Sequence, residues 1–70
     1  MTRFKKTYVS IHDLRVGDMA EHVCGRLDPR PVVDMDIIKR FVWISILTPE
    51  PVGPLPLENY RYYRMVPDTN

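Results

Sequence analysis

Cys24 and the nearby His22 are the residues whose types could form a nucleophile and its general base. Two positions apart on an extended strand, their side chains share a face at about 6 to 7 Å, too far for a hydrogen bond between thiolate and imidazole. A single cysteine also excludes an internal disulfide. We therefore predict that Cys24 is a buried or half-buried structural residue.

Two aspartates are the other candidates for catalysis. Asp34 and Asp36 share one face of a predicted strand at a spacing that resembles paired glycosidase carboxylates, but a chain of 70 residues lacks the concave pocket this chemistry needs. The sequence has no glycine-rich phosphate loop, hydrolase elbow or paired-cysteine motif. We predict no enzymatic activity and no cofactor. The remaining metal-ligand types would hold only adventitious metal: His12, Asp18, His22 and Cys24.

Composition describes one small globular domain without a strong overall charge. Hydrophobic residues make up 44% and charged residues 27%, with a net charge of +1. The charge is uneven, because residues 1–17 sum to +3, residues 18–36 to −3 and residues 37–70 to +1. Nucleic-acid binders usually have a clearly basic balance, so this pattern weakens that class without excluding it. No apolar run reaches the roughly 20 residues of a membrane helix, and no signal-peptide core follows the basic start, so we expect a cytosolic protein without a membrane partner.

Short strands separated by turn residues are predicted along the chain. Ser10 and Asp13 have the spacing of a helix start, but Gly17 follows so soon that we predict a single capped turn. A second helical turn is predicted at residues 56–60. Residues 48–57 contain four prolines and are predicted to be an extended connecting loop, with a polyproline ligand as the weaker alternative. Five strands are predicted, at residues 7–9, 18–24, 32–38, 41–47 and 61–66.

The third and fourth of these strands should form a hairpin that carries most of the core. Apolar residues alternate with polar ones at period two, so one face of each strand turns inward. An open flat sheet would leave hydrophobic edges exposed, and curling it into a barrel covers them. We predict a five-stranded barrel at residues 8–66, a basic arm at 1–7 and a frayed end at 67–70. The predicted inward residues are Val33, Met35, Ile37, Val42, Ile44 and Ile46.

A resemblance to a known fold accompanies this pattern. The entry turn at residues 13–18, a hairpin with a Val-Trp-Ile strand and the terminal Asn-Tyr-Arg-Tyr-Tyr-Arg resemble the small Src-homology-three-like (SH3-like) β-barrels. The chain is also similar to short proteins encoded by bacteriophages of actinobacteria. The resemblance covers about residues 8–66; it implies an SH3-like fold and a phage-encoded protein that acts in the host cytoplasm, and it carries over no catalytic residue.

Aromatic residues suggest how the domain acts. If Val42 and Ile44 point inward, Phe41 and Trp43 point to the opposite face and need another cover. That cover is either the proline-rich loop, in a second small core, or a protein surface of the aromatic and arginine type found in interface hot spots. With Tyr63 and Met65 inward, Tyr62 and Arg64 of the terminal strand point outward and add to the exposed surface. We predict a protein-interaction module that binds a partner or itself through Phe41, Trp43, Tyr62 and Arg64.

A nucleic-acid-binding barrel is the alternative that the sequence leaves open. It would neutralise phosphates with basic side chains and stack bases on tyrosine rings. The two functions differ in their response to salt, since phosphate contacts weaken steeply with ionic strength and an apolar contact does not. The residues assigned to this alternative are Arg3, Lys5, Lys6, Tyr60 and Arg61.

Overall fold

Six antiparallel strands form the domain in the computed structural model, which describes residues 3–68. The two predicted helical turns are present as single 3₁₀ turns at Ile11–Asp13 and Leu57–Asn59. The all-β class and the short helical turns are therefore confirmed. The strands are β1 (Arg3–Val9), β2 (Met19–His22), β3 (Arg30–Asp36), β4 (Phe41–Ile44), β5 (Val52–Pro56) and β6 (Tyr60–Asp68).

The strands follow the order β1-β6-β2-β3-β4-β5 in one sheet. β1 and β5 are its two edges, and no ladder joins them within residues 3–68, so the sheet is open. The prediction of five strands was wrong, because the proline-rich segment contributes a sixth. The sheet is nevertheless curved enough for one face to enclose a single cluster of buried residues from β2, β3, β4 and β6.

β5 lies inside the segment that was predicted to be a loop. Leu55 pairs with Val42 of β4, and Val52 pairs with Ile44. Proline donates no backbone hydrogen bond and is therefore confined to edge strands or bulges. β5 has both features, since it is an edge strand and its register shifts between Val42 and Ile44. The prolines marked an edge strand rather than a connector.

The first and last strands are longer than predicted. Seven consecutive pairs join them, from Arg3 opposite Asp68 to Val9 opposite Tyr62. Residues 3–7, predicted to be a free arm, belong to β1, and residues 67–68, predicted to fray, belong to β6. The parts of those predictions that concern residues 1–2 and 69–70 lie outside the described residues.

The core lies on the concave face of the sheet. Val42 and Ile44 are buried as predicted, and Met35 packs against the cluster. The prediction that Ile37 and Ile46 point inward was wrong. Both residues lie beyond the ends of their strands and are exposed. A register shift between Val32 and Asp34 changes the parity of β3 and buries Val32 where Val33 was expected. The buried apolar residues are Leu14, Ala20, Val32, Val42, Ile44, Leu57 and Tyr62.

The Trp43 ring packs against the backbone of Gly53. A Cβ atom added to Gly53 would lie 2.7 Å from Trp43 Cγ and 2.9 Å from the carbonyl oxygen of Val42. Overpacking of this kind typically costs about 1 to 3 kcal/mol. We expect Gly53→Ala to lower the free energy of unfolding by that amount and to shift Trp43 fluorescence to longer wavelength as the ring is displaced. An equal loss of stability in a Trp43→Ala background would show that the ring is not the obstacle.

Candidate interaction surface

The four predicted contact residues do not form one patch. Phe41 and Trp43 lie half-buried on the convex face of β4. Tyr62 belongs to the core cluster on the concave face. Arg64, two positions further along β6, also lies on the core side of that strand. The prediction that Tyr62 and Arg64 point outward, with Tyr63 and Met65 inward, was therefore wrong.

Tyr62 is inside because its hydroxyl finds a partner there. The ring is 2% exposed, and its hydroxyl donates a hydrogen bond of 2.8 Å to the carbonyl oxygen of Leu57. A buried hydroxyl with a good acceptor avoids the cost of desolvating an unpaired polar group. The alternation of side chains along β6 does not identify its buried face, because tyrosines lie on both faces of the strand.

Burial raises the pKa of Tyr62 well above the usual tyrosine value near 10. A raised pKa means that the neutral ring stabilises the fold below about pH 10, and that this stabilisation is lost progressively as the pH rises above that value. We expect Tyr62→Phe to cost about 1 kcal/mol at pH 8, through the lost hydrogen bond, and to reduce the fall in stability between pH 8 and 11. Thermal melts of both proteins check this, with Tyr63→Phe as the control; an unchanged alkaline profile would contradict it.

Arg64 is held by a buried carboxylate. Its Nε and Nη2 atoms donate hydrogen bonds of 3.0 and 2.7 Å to the two oxygens of Asp18, which is 5% exposed. Nη2 also donates to the carbonyl oxygen of Asp13, and Asp18 accepts the backbone N–H of Arg15. A forked arginine–carboxylate pair of this kind fixes the entry turn against β6. It is not available as a contact residue.

Trp43 is partly covered from within the chain. Its ring lies over Gly53, and Phe41 pairs across β4 and β5 with Pro56. The proline-rich segment thus covers part of the aromatic pair, as one of the two sequence interpretations required. A protein contact at Phe41 and Trp43 stays a prediction.

The residues assigned to nucleic-acid binding are also divided. Arg3 lies opposite Asp68 at one end of the β1–β6 ribbon, and Arg61 lies seven residues away along β6. Seven residues of strand span about 23 Å. Lys6 forms an ion pair of 3.1 Å with Glu21 and is therefore partly neutralised. The basic residues follow the ribbon rather than converging on one stacking platform.

The residues considered for chemistry do not gather into one site within residues 3–68. Cys24 is exposed in the turn after β2, so the prediction of a buried cysteine was wrong; the strand ends at His22, before the cysteine. The backbone N–H of Cys24 donates a hydrogen bond of 3.1 Å to His22 Nδ1. Asp36 Oδ1 accepts the backbone N–H of Lys39 in the hairpin turn. Within residues 3–68, no three metal-ligand side chains lie close enough to hold an ion.

The structure exposes a different surface, along the edge strand β1. The outer side of this seven-residue strand has no pairing partner in the described part of the chain. Its convex face carries Phe4, 59% exposed, and Tyr8, 50% exposed, while the adjacent Met65 of β6 is 51% exposed. We call the free edge and convex face of β1, together with Met65 of β6, the β1 surface. This surface presents both unpaired backbone groups and large exposed apolar side chains.

A cluster of charged and aromatic side chains occupies the middle of the β1 surface. Lys6 Nζ lies 4.3 Å from the ring centre of Tyr63 and 5.2 Å from that of Tyr8, within the range of cation–π attraction. The Tyr8 hydroxyl donates a hydrogen bond of 3.0 Å to Glu21. The neighbouring Tyr8 hydroxyl and Glu21 carboxylate raise the pKa of Lys6, and the hydrogen bonds from Lys6 and Tyr8 lower the pKa of Glu21. Both groups therefore stay charged across the neutral range.

A groove of about 320 Å³ lies at the Val9 end of β1. It is bounded by the end of the strand, the turn that follows, and the start of β6. Tyr8, Tyr60 and Arg61 contribute its aromatic and basic sides, and Val9 and Ile11 its apolar sides.

No helix within residues 3–68 is long and apolar enough to cross a bilayer. The chain matches no protein-family model, and searches of curated proteins and of solved structures found no match.

Proposed function

We propose that the chain is a non-enzymatic protein-interaction module that binds an extended segment of a partner protein along the free edge of β1. The observation that carries this proposal is the difference between the two sheet edges. β5 carries Pro54 and Pro56, which protect an edge from pairing, whereas β1 contains no proline. A seven-residue edge without proline keeps every backbone N–H that strand addition uses, and its lysines disfavour pairing with another basic strand.

Charge favours an acidic partner segment over a second copy of the chain. The β1–β6 ribbon carries five basic residues and one acidic residue, Asp68. Lys6 and Arg64 are already paired with Glu21 and Asp18, so the attraction would come mainly from the other three basic residues. Pairing two β1 strands would bring like charges together, and directly opposed like charges destabilise a ladder. A partner strand with Asp or Glu gains attraction instead, and its association is faster at low salt. The basic residues are Arg3, Lys5, Lys6, Arg61 and Arg64.

Side-chain contacts would supply specificity. In strand addition the main chain provides affinity and pockets provide selection among sequences. Phe4, Tyr8 and Met65 offer an exposed apolar face, and the groove beside Val9 can take one apolar side chain. The partner is therefore an extended segment with acidic residues beside the Arg3 end and an apolar residue at the Val9 end.

Three sequence-based predictions about fold family and origin form part of this proposal. Kinship with SH3-like barrels, a phage origin and a host-directed role are consistent with a small binding module, and they remain predictions. The observed sheet is open, so the likeness to a barrel is supported only by its curvature and its single core. Self-association is the competing form of the same function.

Selection from a displayed library of random peptides about 12 residues long tests the proposal. We expect enriched peptides with alternating side chains and excess acidic residues, and a titration in which Arg3→Glu/Lys5→Glu weakens binding of the best peptide by about tenfold or more. Lys39→Glu, a charge reversal in the β3–β4 turn, is the matched control and should leave binding unchanged.

Three outcomes would overturn the proposal. The first is the absence of any enriched peptide. The second is light scattering that shows a dimer which the double variant dissociates, because this would assign the edge to a second copy. The third is a single-stranded DNA of about 20 nucleotides that binds more tightly than every selected peptide, which would favour the alternative function.

A further inference from the structure

A second concavity lies on the core side of the sheet, away from the β1 surface. Its volume is about 320 Å³, near the lower end of the range for small-molecule sites. Its floor is apolar, because Ala20 and Ile44 belong to the buried core. Its mouth lies beneath the loop between β2 and β3. The remaining lining residues are His22, Arg26, Leu27, Asp28, Arg30, Ile46 and Tyr60.

The rim of this cavity carries an excess of positive charge without partners. Within residues 3–68, the side chains of Arg26 and Arg30 form neither an ion pair nor a hydrogen bond, in contrast to Arg64 and its buried aspartate. Asp28 is the single acidic residue of the lining. Two guanidinium groups beside an apolar floor attract an anion with planar, forked geometry, which a carboxylate provides.

His22 supplies an oriented third polar group. Its Nδ1 atom accepts the backbone N–H of Cys24 at 3.1 Å, so the neutral ring carries its proton on Nε2 and donates there. An edge-to-face contact with Tyr60, with ring centres 5.1 Å apart and an interplanar angle of 84°, fixes the ring plane. The imidazole of His22 is therefore held in place by the fold before any ligand binds.

Apolar side chains at the mouth complete the chemistry. Leu27 is 58% exposed and Ile46 is 36% exposed, and both line the cavity. Exposed apolar side chains beside free arginines suit a ligand with an apolar body and one anionic end. Inorganic phosphate could bind the arginines but would leave this apolar lining exposed to water.

We propose that this cavity binds a small apolar carboxylate, with the carboxylate on Arg26 and Arg30 and the apolar body on Ala20, Ile44 and Tyr60. The chemistry is shared by a free monocarboxylic acid and by the C-terminal residue of a peptide that ends in an apolar side chain. The site uses no residue of β1 and does not depend on the proposed strand addition.

Titration of ¹⁵N-labelled protein with 3-phenylpropionate tests the proposal. We expect saturable shifts of backbone resonances at Ala20, His22, Arg30 and Tyr60. The corresponding amide, 3-phenylpropionamide, should bind at least about tenfold more weakly, because it lacks the charge. Arg26→Gln/Arg30→Gln should weaken binding of the acid by a similar factor, and Arg15→Gln, which changes an exposed arginine outside the cavity, should not.

Further titrations distinguish a peptide C-terminus from a free acid and define the results that would contradict the proposal. An N-acetylated tripeptide ending in phenylalanine that binds more tightly than 3-phenylpropionate, and loses this on amidation, identifies a peptide C-terminus; the reverse order identifies a free acid. Equal binding of acid and amide would overturn the proposal, as would phosphate binding as tightly as the acid. Shifts that map to β1 instead would also overturn it, while leaving the proposed strand addition untouched.

Discussion

Arg64→Ala is expected to lower the free energy of unfolding by about 3 kcal/mol, the lower end of the range for removing one partner of a buried ion pair, because the Arg64 side chain is 26% exposed. Asp18, which is 5% exposed, would lose both hydrogen bonds from the guanidinium and keep the one from the Arg15 N–H. Since so small a domain has only about 3 to 5 kcal/mol of stability, the variant should be largely unfolded at 37 °C. Urea denaturation at 25 °C measures the change.

Arg61→Ala is the matched control, because Arg61 is exposed on the same strand and should change stability by no more than about 0.5 kcal/mol. A second variant, Asp18→Asn/Arg64→Met, replaces the pair by neutral groups and should recover part of the loss. If Arg64→Ala unfolds at the same urea concentration as Arg61→Ala, the ion pair does not fix the entry turn as described.

Ile44→Ala is expected to destabilise the domain by about 2 to 5 kcal/mol, through lost burial and the cavity left behind. Ile44 is 7% exposed and belongs to the core cluster. The same substitution at Ile38, which is 94% exposed at the hairpin turn, is the control and should be nearly neutral. Midpoints of urea unfolding that coincide for the two variants would contradict the assigned core face of β4.

The sequence predicted the elements better than their faces. The hairpin of β3 and β4 and both 3₁₀ turns could be predicted because they depend on local patterns: the alternation of apolar and polar residues, and the turn-forming residues between them. Local patterns do not report a register shift, so Val32 took the place of Val33 in the core. Nor do they report the edge position that lets Pro54 and Pro56 lie in a strand, which is why β5 was predicted as a loop.

The contact surface was harder to predict, because it depends on pairs distant in the sequence. Tyr62 and Arg64 are inside since Leu57 and Asp18 supply partners for their polar ends, and no spacing rule identifies such partners. The edge position of β1 follows from its pairing with the last strand of the chain. Its basic residues were visible in the sequence, but as an arm rather than an edge.

Amide hydrogen exchange with and without a library-selected acidic peptide tests strand addition most directly. In the free protein, the amides of β1 that face away from β6 have no partner within residues 3–68 and should exchange faster than the amides of the inner strands. If the peptide adds a strand to this edge, we expect those amides to become protected while the amides of Val52, Gly53 and Leu55 in β5 do not change. Protection confined to β5, or binding that leaves β1 exchange unaltered, would contradict the proposed function.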